Sequence, residues 1–521
     1  MTRKKPLRRD FLRLTSLATA AFLTSSPPAL TTPSQSSRPD LCFASAHEAL
    51  QAIRQKRISA VELLEQVLSQ IEEHDSKIHA FVTLDLEEAR RQARRCDETM
   101  NRNQELGPLH GLPIVIKDTF QTAGLRTTAG SVLFSEYIPD RDATVVARLK
   151  NAGAVVVGKT NVPEFGSDMQ SYNEVAETTN NPWNLSRTPG GSTGGGAAAL
   201  ASGMGFLELG SDIGGSIRVP AHFCGVYGHK PTVGLVPCSG HIPPMPGTVV
   251  LPSYLNVCGP LARSAEDLLL ALKVTAGPEE PASLALQLSL PSGRKDRLRD
   301  FRLGFLLDDS YCPVTPEVKS ILETTVDRLR SSGLELVEGW PEGVTFREMF
   351  ETYLPLLAAS FSEAQSPEEM ELLRNSLDKD WGDYARLWLQ GSELSFSDWL
   401  RLSSLRLEYR QKWQNYFQSF DAFLMPVAFV PAFRHDHKLS FFERKLQTSA
   451  GVRQYGDLLR WICAPTLTGC PATVAPVGRT AEGLPVGIQI MGPFMEDPTT
   501  IDLAARLADL IGGFEAPPNL A

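Results

Sequence analysis

The sequence lacks the patterns that bind structural metals or nucleic acid. Its eight cysteines include no C-x-x-C pair and no cluster with histidine at the spacing of a zinc site. Neither a disulfide framework nor a structural metal is therefore predicted. The formal net charge is −9, and no basic stripe interrupts the acidic body of the chain. This charge balance disfavours binding to nucleic acid.

The N-terminal residues also lack an apolar run long enough to span a membrane. The uncharged run 14–23 has ten residues, whereas a membrane-spanning helix needs about 20. Residues 1–39 contain seven basic residues and one acidic residue, and serine, threonine and proline make up 12 of the 16 residues in 24–39. A basic head, a short apolar run and a polar tail predict an export signal followed by a tether.

The basic head contains a more specific export pattern. Leu7–Arg13 reads LRRDFLR and resembles the twin-arginine signal, R-R-x-F-L followed by a basic residue, which directs folded proteins across bacterial-type membranes. We therefore expect an exported protein, periplasmic or extracellular, with no stable membrane insertion after the signal is removed. Residues 40–521 are expected to form the folded domain.

Residues 40–521 alternate between helical and strand-like segments. Capping boxes at Ser45 and Ser59, each with a glutamate three residues later, predict the starts of two helices. Apolar runs at Pro113–Ile116 and Ala154–Val157 predict short buried strands between helical segments. No linker after residue 40 is long enough to demand a second domain, so we expect a single large α/β domain.

Residues 190–232 are the most informative stretch. Two glycine clusters, GGSTGGG and DIGG, place Ser192 and Ser216 beside exposed backbone amides. Glycine has no Cβ and tolerates positive φ, so N–H groups in such clusters can converge on a bound anionic atom. The stretch is therefore a candidate catalytic site.

Three common motifs do not account for Ser192. The sequence GGSTG fits the nucleophile elbow G-x-S-x-G, but that turn requires a buried strand before it, and NPWNLSRTP cannot form one. A P-loop needs a lysine and a hydroxyl residue where Ala197 and Ala198 stand. The dinucleotide fingerprint G-x-G-x-x-G is also unmet.

The stretch resembles the signature of a known enzyme family. Residues 190–232 match GGS[ST]GG followed by D-x-GGSIR-x-P and KPT, and GLPIVIKD lies upstream around Lys117. Further matches are GPLARSAEDLLLAL at 259–272 and LTGCPATVAPVG with GLPVGIQIMGP within 467–493. The chain is identified on these segments as a member of the amidase-signature family. The resemblance implies a catalytic domain with a central mixed β-sheet covered by helices on both faces.

The resemblance assigns three catalytic roles. It implies that Ser216 is the nucleophile, Ser192 the bridging serine and Lys117 the base. A serine hydroxyl needs an adjacent base, and burial favours the neutral lysine that can act as one. Lys117 would draw a proton through Ser192 from Ser216, and Ser192 would then protonate the leaving amine. The family also has a cis peptide bond before the bridging serine, here between Gly191 and Ser192.

The resemblance also implies an oxyanion hole and a supporting shell. Loss of one oxyanion donor typically costs roughly 2.7–4 kcal/mol of transition-state stabilisation. Side chains at positions 214 and 215 would block the approach to these amides. Asp212 and Arg218 are expected to form a supporting ion pair, and Thr193 stands where many members carry a second serine. The implied donors are the backbone N–H groups of Ile213, Gly214, Gly215 and Ser216.

Other residues compete for the role of base. Lys159 also follows a predicted strand and Lys230 lies in the glycine-rich stretch, but only Lys117 has the matching context G-L-P-x-x-x-K-D. His222 and His229 suggest a Ser-His arrangement, yet the sequence assigns neither an orienting acid. Lys117 is therefore the expected base.

With the export pattern, the resemblance implies an exported serine amidohydrolase that cleaves linear amide C–N bonds and releases ammonia or an amine. It implies an acyl-enzyme on Ser216, no cofactor, no metal and a small-molecule amide substrate, and it leaves a homodimer open. The helix-rich, aromatic region 345–460 is expected to cover the substrate pocket. Two alternatives are a non-catalytic binding protein on the same scaffold and an amidotransferase A-type subunit.

Overall fold

The computed structural model describes residues 39–248, 253–362, 365–379, 382–518 and 520. The predicted export signal and tether lie outside these residues, except for residue 39, so that assignment stays a prediction. The described residues form one compact unit.

Fourteen α-helices occur in the described residues, and the first two begin where the sequence predicts. Ser45 and Ser59 each accept the N–H of the glutamate three residues later, and each glutamate side chain bonds back to the cap. The helices are α1 (Ala46–Arg54), α2 (Ala60–Ile78), α3 (Leu86–Asn101), α4 (Thr144–Asn151), α5 (Gly194–Ala201), α6 (Arg218–Cys224), α7 (Ala265–Thr275), α8 (Pro316–Ser331), α9 (Phe346–Phe361), α10 (Pro367–Arg374), α11 (Gly382–Ser392), α12 (Phe396–Tyr416), α13 (Cys463–Thr468) and α14 (Asp497–Ile511).

Thirteen β-strands occur in the same residues. Two of them match the strands predicted upstream of the glycine-rich stretch, with ends that differ by at most three residues. The strands are β1 (Phe81–Leu84), β2 (Pro113–Lys117), β3 (Val155–Thr160), β4 (Leu207–Asp212), β5 (Tyr227–Lys230), β6 (Val257–Ala262), β7 (Arg302–Phe305), β8 (Glu335–Glu338), β9 (Ala422–Pro426), β10 (Lys445–Thr448), β11 (Gly451–Gln454), β12 (Ala472–Arg479) and β13 (Pro485–Met491).

Eleven of the strands form one sheet in the order β1-β3-β2-β4-β6-β5-β12-β13-β9-β7-β8, and β10 pairs with β11 in a separate hairpin. The large sheet is mixed: β2 runs parallel to β3 and β4, whereas β4, β6 and β5 pair antiparallel. The sequence therefore predicted the architecture correctly, as a mixed sheet covered by helices in one large α/β domain.

The parallel pairing of β2 and β4 brings two important segments together. Ile116 lies opposite Leu209 in the register of these strands. Because parallel strands end at the same edge of a sheet, Lys117 at the end of β2 lies close to Ser211 and Asp212 at the end of β4. The turn that follows β4 carries Ser216.

The helix-rich region packs onto the same end of the sheet. The hydroxyl of Tyr353, in α9, donates a 2.9 Å hydrogen bond to the carbonyl of Ile213 in the turn after β4. The region therefore contacts the glycine-rich stretch, and its expected role in covering a substrate pocket stays a prediction. Within the described residues, no helix is both long and apolar enough to cross a membrane.

Candidate active site

Lys117 is buried at the carboxyl end of β2 and contacts two serines. Its Nζ lies 2.7 Å from Ser192 Oγ and 3.0 Å from Ser211 Oγ, and only 1% of the residue is exposed. Burial lowers the pKa of its ammonium from 10.5 to about 7, although Glu208 and Asp212 favour the charged form. A lysine in this environment is neutral in a large fraction of molecules near neutral pH and can accept a proton.

Ser192 lies in the loop before α5, next to a glycine whose surroundings leave no room for a side chain. The peptide bond between Gly191 and Ser192 is cis. A Cβ on Gly191 would lie 2.6 Å from both the Asp168 carbonyl oxygen and the Gln170 amide nitrogen. Glycine is required at position 191 because the neighbouring backbone occupies the space of a side chain.

Ser216 follows β4 and is held near Ser192 through the backbone. The amide of Thr193 donates to the carbonyl of Ser216 at 3.2 Å, and the residue is 5% exposed. Within the described part of the chain, Ser216 Oγ makes no hydrogen bond, including none to Ser192. Catalytic hydrogen bonds often form only when substrate binds, so the absence of this contact does not remove Ser216 as the candidate nucleophile.

The turn from Ile213 to Ser216 requires a correction to the predicted oxyanion hole. The Gly215 amide donates to Asp212 Oδ1 at 3.0 Å and is therefore already engaged. Among the described residues, the amides of Ile213, Gly214 and Ser216 have no such partner. These three amides, rather than four, remain as candidate oxyanion donors.

The two glycines of the turn are needed for backbone conformation and close packing, and not only to leave substrate room to approach. Gly215 has a φ of +94°, and a Cβ there would lie 3.1 Å from Ile462. A Cβ on Gly214 would lie 3.2 Å from Leu459. Glycine is therefore needed at 215 for its left-handed conformation and for close packing against the 459–462 segment.

Asp212 and Arg218 form an ion pair beneath this turn. Arg218 Nη2 lies 2.8 Å from Asp212 Oδ1, and neither side chain is exposed. Burial alone would raise the pKa of Asp212, but Arg218 holds it below its ordinary value. Arg218 is further bound by the Ile462 carbonyl at 2.8 Å and by Gln489 and Thr466 at 2.7 Å each. The pair therefore anchors the turn to the C-terminal third of the chain.

Two residues at the site were not found from the sequence. Ser211 contacts Lys117, and His241 Nε2 lies 2.8 Å from Ser211 Oγ. Ser211 could have been noticed because it directly precedes Asp212 of the motif. His241 carries no local signal, because it lies in an irregular, proline-rich segment that becomes adjacent only in the fold.

A third group that the sequence did not indicate surrounds Asp168. Its carboxylate lies 2.6 Å from Arg444 Nη1 and 2.6 Å from the Tyr455 hydroxyl. The Asp168 carbonyl faces Gly191. This buried network fixes the loop before Ser192 to the 444–455 segment.

The rival residues do not reach the predicted nucleophile. Lys159 Nζ contacts the Phe120 carbonyl and the hydroxyls of two threonines, and Lys230 Nζ donates to the Pro231 carbonyl. His229 does have an acid partner, Asp497 at 3.1 Å, but its other ring nitrogen bonds to a threonine.

Thr193 Oγ1 lies 3.5 Å from the Ser211 carbonyl, so its hydroxyl finds a local partner. No group of three or more metal-ligating side chains is found in the described residues.

The family model described as Amidase matches residues 62–501. Because this match spans most of the chain, the protein belongs to the amidase family, as the glycine-rich signature predicted. Its class is that of the amidase-signature enzymes, which act on carbon–nitrogen bonds as hydrolases or amidotransferases.

Individual relatives include both kinds of enzyme. The A-type subunit of the glutamyl-tRNA(Gln) amidotransferase of Carboxydothermus hydrogenoformans is 33% identical over 503 residues, covering 92% of this chain and 100% of the relative. A solved structure described as an amidase has a TM-score of 0.74 at 28% identity and covers 90% of this chain and 100% of its own. The A-type subunit of the corresponding Thermotoga maritima enzyme has a TM-score of 0.71 at 26% identity, with coverages of 92% and 98%.

Proposed function

We propose that this protein cleaves an amide C–N bond through an acyl-enzyme on Ser216, with Lys117 as base and Ser192 as the bridging serine. The observation that carries the proposal is the 2.7 Å contact between Lys117 Nζ and Ser192 Oγ at a buried lysine. Its pKa of about 7 allows the amine to take a proton near neutral pH.

The first half of the reaction forms the acyl-enzyme. Ser216 Oγ attacks the carbonyl carbon and passes its proton to Ser192, which passes its own to Lys117. The negative oxygen of the tetrahedral intermediate is held by the free amides of the turn, each worth roughly 2.7–4 kcal/mol. Ser192 then protonates the departing nitrogen and recovers a proton from Lys117, so the base returns to its neutral form.

The second half releases the acid product. Water attacks the acyl carbon, and its proton passes through Ser192 to Lys117. The second tetrahedral intermediate collapses by breaking the bond to Ser216 Oγ, which regains its proton by the reverse route. In this scheme Ser216, Ser192 and Lys117 carry the protons, and the backbone amides stabilise the oxyanion.

Of the two enzyme types, an amidotransferase A-type subunit is the better supported. The support comes from curated relatives of that type that match nearly the whole chain, at 33% and 33% identity for two of them. In this form the amide donor would be glutamine, and partner subunits would receive the ammonia. Glutamine is therefore the first substrate to test.

An exported, free-standing amidase is the second candidate, and one sequence observation favours it. The LRRDFLR pattern at Leu7–Arg13 would carry a folded enzyme out of the compartment that contains tRNA. Replacing Arg8 and Arg9 together by lysine should trap the precursor inside the cell. Unchanged export of this variant would remove the twin-arginine interpretation.

One set of assays on the full chain distinguishes the amidotransferase subunit from the free-standing amidase. Ammonia release is measured from glutamine, asparagine and a panel of aliphatic and aryl amides, with and without lysate of the source cells to supply partner subunits. Glutamine hydrolysis that rises with a co-purifying partner supports the amidotransferase, whereas turnover of other amides by the isolated chain supports the free-standing enzyme. Ser216→Ala should lose at least about a thousandfold in rate with either substrate.

A fluorophosphonate probe tests the nucleophile independently of the substrate. Wild-type protein should be labelled at Ser216, as read by peptide mass spectrometry, and Ser216→Ala should not. An unlabelled wild-type protein that is inactive on every amide would instead indicate a non-catalytic binding protein on this scaffold.

A further inference from the structure

His241 is connected to Lys117 through Ser211. The His241 ring is buried, with Nδ1 3.0 Å from the Pro243 carbonyl and Nε2 2.8 Å from Ser211 Oγ. Ser211 Oγ in turn lies 3.0 Å from Lys117 Nζ. The three side chains therefore form one continuous chain of hydrogen bonds that ends at the proposed base.

The direction of each hydrogen bond in this chain is fixed. A carbonyl oxygen can only accept, so Nδ1 of His241 must carry the hydrogen that faces Pro243. Burial lowers the pKa of His241 to about 3, so the ring is neutral and Nε2 has no hydrogen. Nε2 must therefore accept, and the Ser211 hydroxyl must donate to it.

This arrangement controls the lone pair of Lys117. Because the Ser211 hydrogen is committed to His241, Ser211 Oγ can only accept from Lys117. A neutral amine has two N–H groups and one lone pair. Its N–H groups face Ser211 Oγ and, at 3.5 Å, the Ser211 carbonyl, so the lone pair is left for the hydroxyl of Ser192.

We infer that His241 is a positioning residue that acts through Ser211 to turn the lone pair of Lys117 toward Ser192. The inference rests on the proposed role of Lys117 as base. Without His241, the Ser211 hydroxyl could donate to Lys117 and occupy the lone pair that must take the proton.

The rate of Ser216 labelling by a fluorophosphonate probe tests this role without knowledge of the substrate. His241→Leu should slow labelling by about 10- to 100-fold, which is at or below the lower end of what a positioned general base contributes, because Lys117 itself is retained. His241→Gln, whose carbonyl oxygen can accept the same hydrogen from Ser211, should stay within about threefold of wild type. A His241→Leu variant that is labelled at the wild-type rate would overturn the inference.

A double-mutant cycle separates positioning from a structural effect. Because His241 acts through Ser211, adding His241→Leu to Ser211→Ala should cost less than about twofold beyond Ser211→Ala alone, whereas independent effects would multiply. Multiplying losses would overturn the inference. If His241→Leu fails to fold, the His241→Gln variant still decides, since a loss there as large as that of Ser211→Ala contradicts the assigned direction of the hydrogen bonds.

The matched control is His110, another buried histidine whose Nε2 lies 3.0 Å from the Cys96 carbonyl. It precedes β2 at the end opposite Lys117, so His110→Leu should lower the melting temperature without slowing the labelling of Ser216.

Labelling of the wild-type protein distinguishes failure of the proposed function from failure of the inference about His241. If it is not labelled at all, the proposed function fails; if it is labelled and His241→Leu is labelled equally fast, only the inference fails.

A separate observation concerns two cysteines behind the same site. Cys238 Sγ and Cys258 Sγ lie 2.9 Å apart as free thiols, roughly 0.9 Å longer than a disulfide bond. Cys258 lies on β6 directly opposite Ser211 of β4, and Cys238 precedes His241 by three residues. A bond between these sulfurs would join the segment of His241 to the sheet.

The geometry points to Cys238 and Cys258 as a disulfide-forming pair. The oxidant would be an external disulfide such as oxidised glutathione. The half-buried Cys238 attacks as its thiolate, forming a mixed disulfide and releasing one thiolate. Cys258 then loses its proton and attacks Cys238 Sγ, which expels the second glutathione thiolate and completes the two-electron oxidation.

Peptide mapping of the full chain after treatment with oxidised glutathione tests the pair. We expect a Cys238–Cys258 cross-linked peptide with the mass loss of two hydrogens, and a melting temperature a few degrees above that of the reduced protein. Cys238→Ser should prevent both changes. The buried cysteines Cys463 and Cys470 serve as a control pair that should stay reduced. A mixed disulfide that persists on Cys238, or no reaction at all, would overturn the proposal.

Discussion

Lys117→Met is expected to remove activity and yet stabilise the protein at neutral pH. Methionine fills a similar volume but carries no charge to bury. Wild-type Lys117 is buried, and its pKa falls from 10.5 to about 7 on folding. The unfolded chain, in which this lysine keeps its ordinary pKa, therefore binds the proton more tightly than the folded protein does, and this difference destabilises the folded state.

The size of the effect follows from the two pKa values. At pH 7 the difference costs the folded state about 4 kcal/mol, since a tenfold change in proton affinity corresponds to roughly 1.4 kcal/mol. Methionine escapes this cost but forfeits the bonds to Ser192 and Ser211, worth roughly 1 kcal/mol each. The net gain at pH 7 is about 2 kcal/mol.

The pH dependence has a definite sign. Because the folded pKa is lowered, the wild-type protein gains stability as pH rises from about 7 to 10.5, where the unfolded lysine loses its proton. The free-energy cost of burying the lysine is nearly constant below about pH 7 and decreases above it. Near about pH 9 it becomes smaller than the roughly 2 kcal/mol that the two hydrogen bonds of Lys117 contribute. Lys117→Met should therefore be the more stable protein below about pH 9 and the less stable one above it.

Calorimetry of both proteins between about pH 6 and 10.5 tests this reversal. In a chain of this length 1 kcal/mol shifts the melting temperature by about 1 °C, so we expect a difference of about +2 °C at pH 7 that changes sign near pH 9. The exposed Lys77→Met is the control and should show no such reversal. A Lys117→Met protein that is less stable than wild type at pH 6 and 7 would refute the reasoning, and so would one that retains turnover.

Three further predictions concern the same site. kcat/KM should rise with pH through about 7, because Lys117 must be neutral to act; a profile that is flat from pH 5 to 9 would exclude this lysine as the base. Gly215→Ala should lower kcat by at least about a hundredfold, since its φ is +94° and its Cβ would crowd Ile462, and wild-type turnover would contradict this. Asp212→Asn should cost about 3–5 kcal/mol of unfolding free energy, because it leaves the buried Arg218 charge uncompensated; a denaturation midpoint equal to wild type would show that other groups hold that charge.

The parts of the candidate site that the sequence indicates depend on local backbone chemistry. Ser192 and Ser216 sit in glycine clusters whose spacing is visible in the chain, and Lys117 ends a strand that its apolar residues predict. The mixed sheet and single large domain were also predicted correctly, through the same resemblance.

The contacts that the sequence did not indicate depend on the directions of side chains and backbone amides in the folded protein. His241 and Ser211 meet across the end of the sheet, and no pattern of residues near His241 indicates this contact. The resemblance implies the amide of Gly215 as an oxyanion donor, but in the structure this amide donates to Asp212. A sequence shows which amides are available in a turn and not which of them face inward.

The anchoring of Arg218 has a consequence for synthesis of the protein. Its acceptors Ile462 and Gln489 lie 244 and 271 positions later in the chain. A nascent chain that already contains the lysine and both serines still lacks the partners that hold the turn around Ser216. The turn can therefore reach its full anchoring only after Gln489 has been synthesised, near the end of translation.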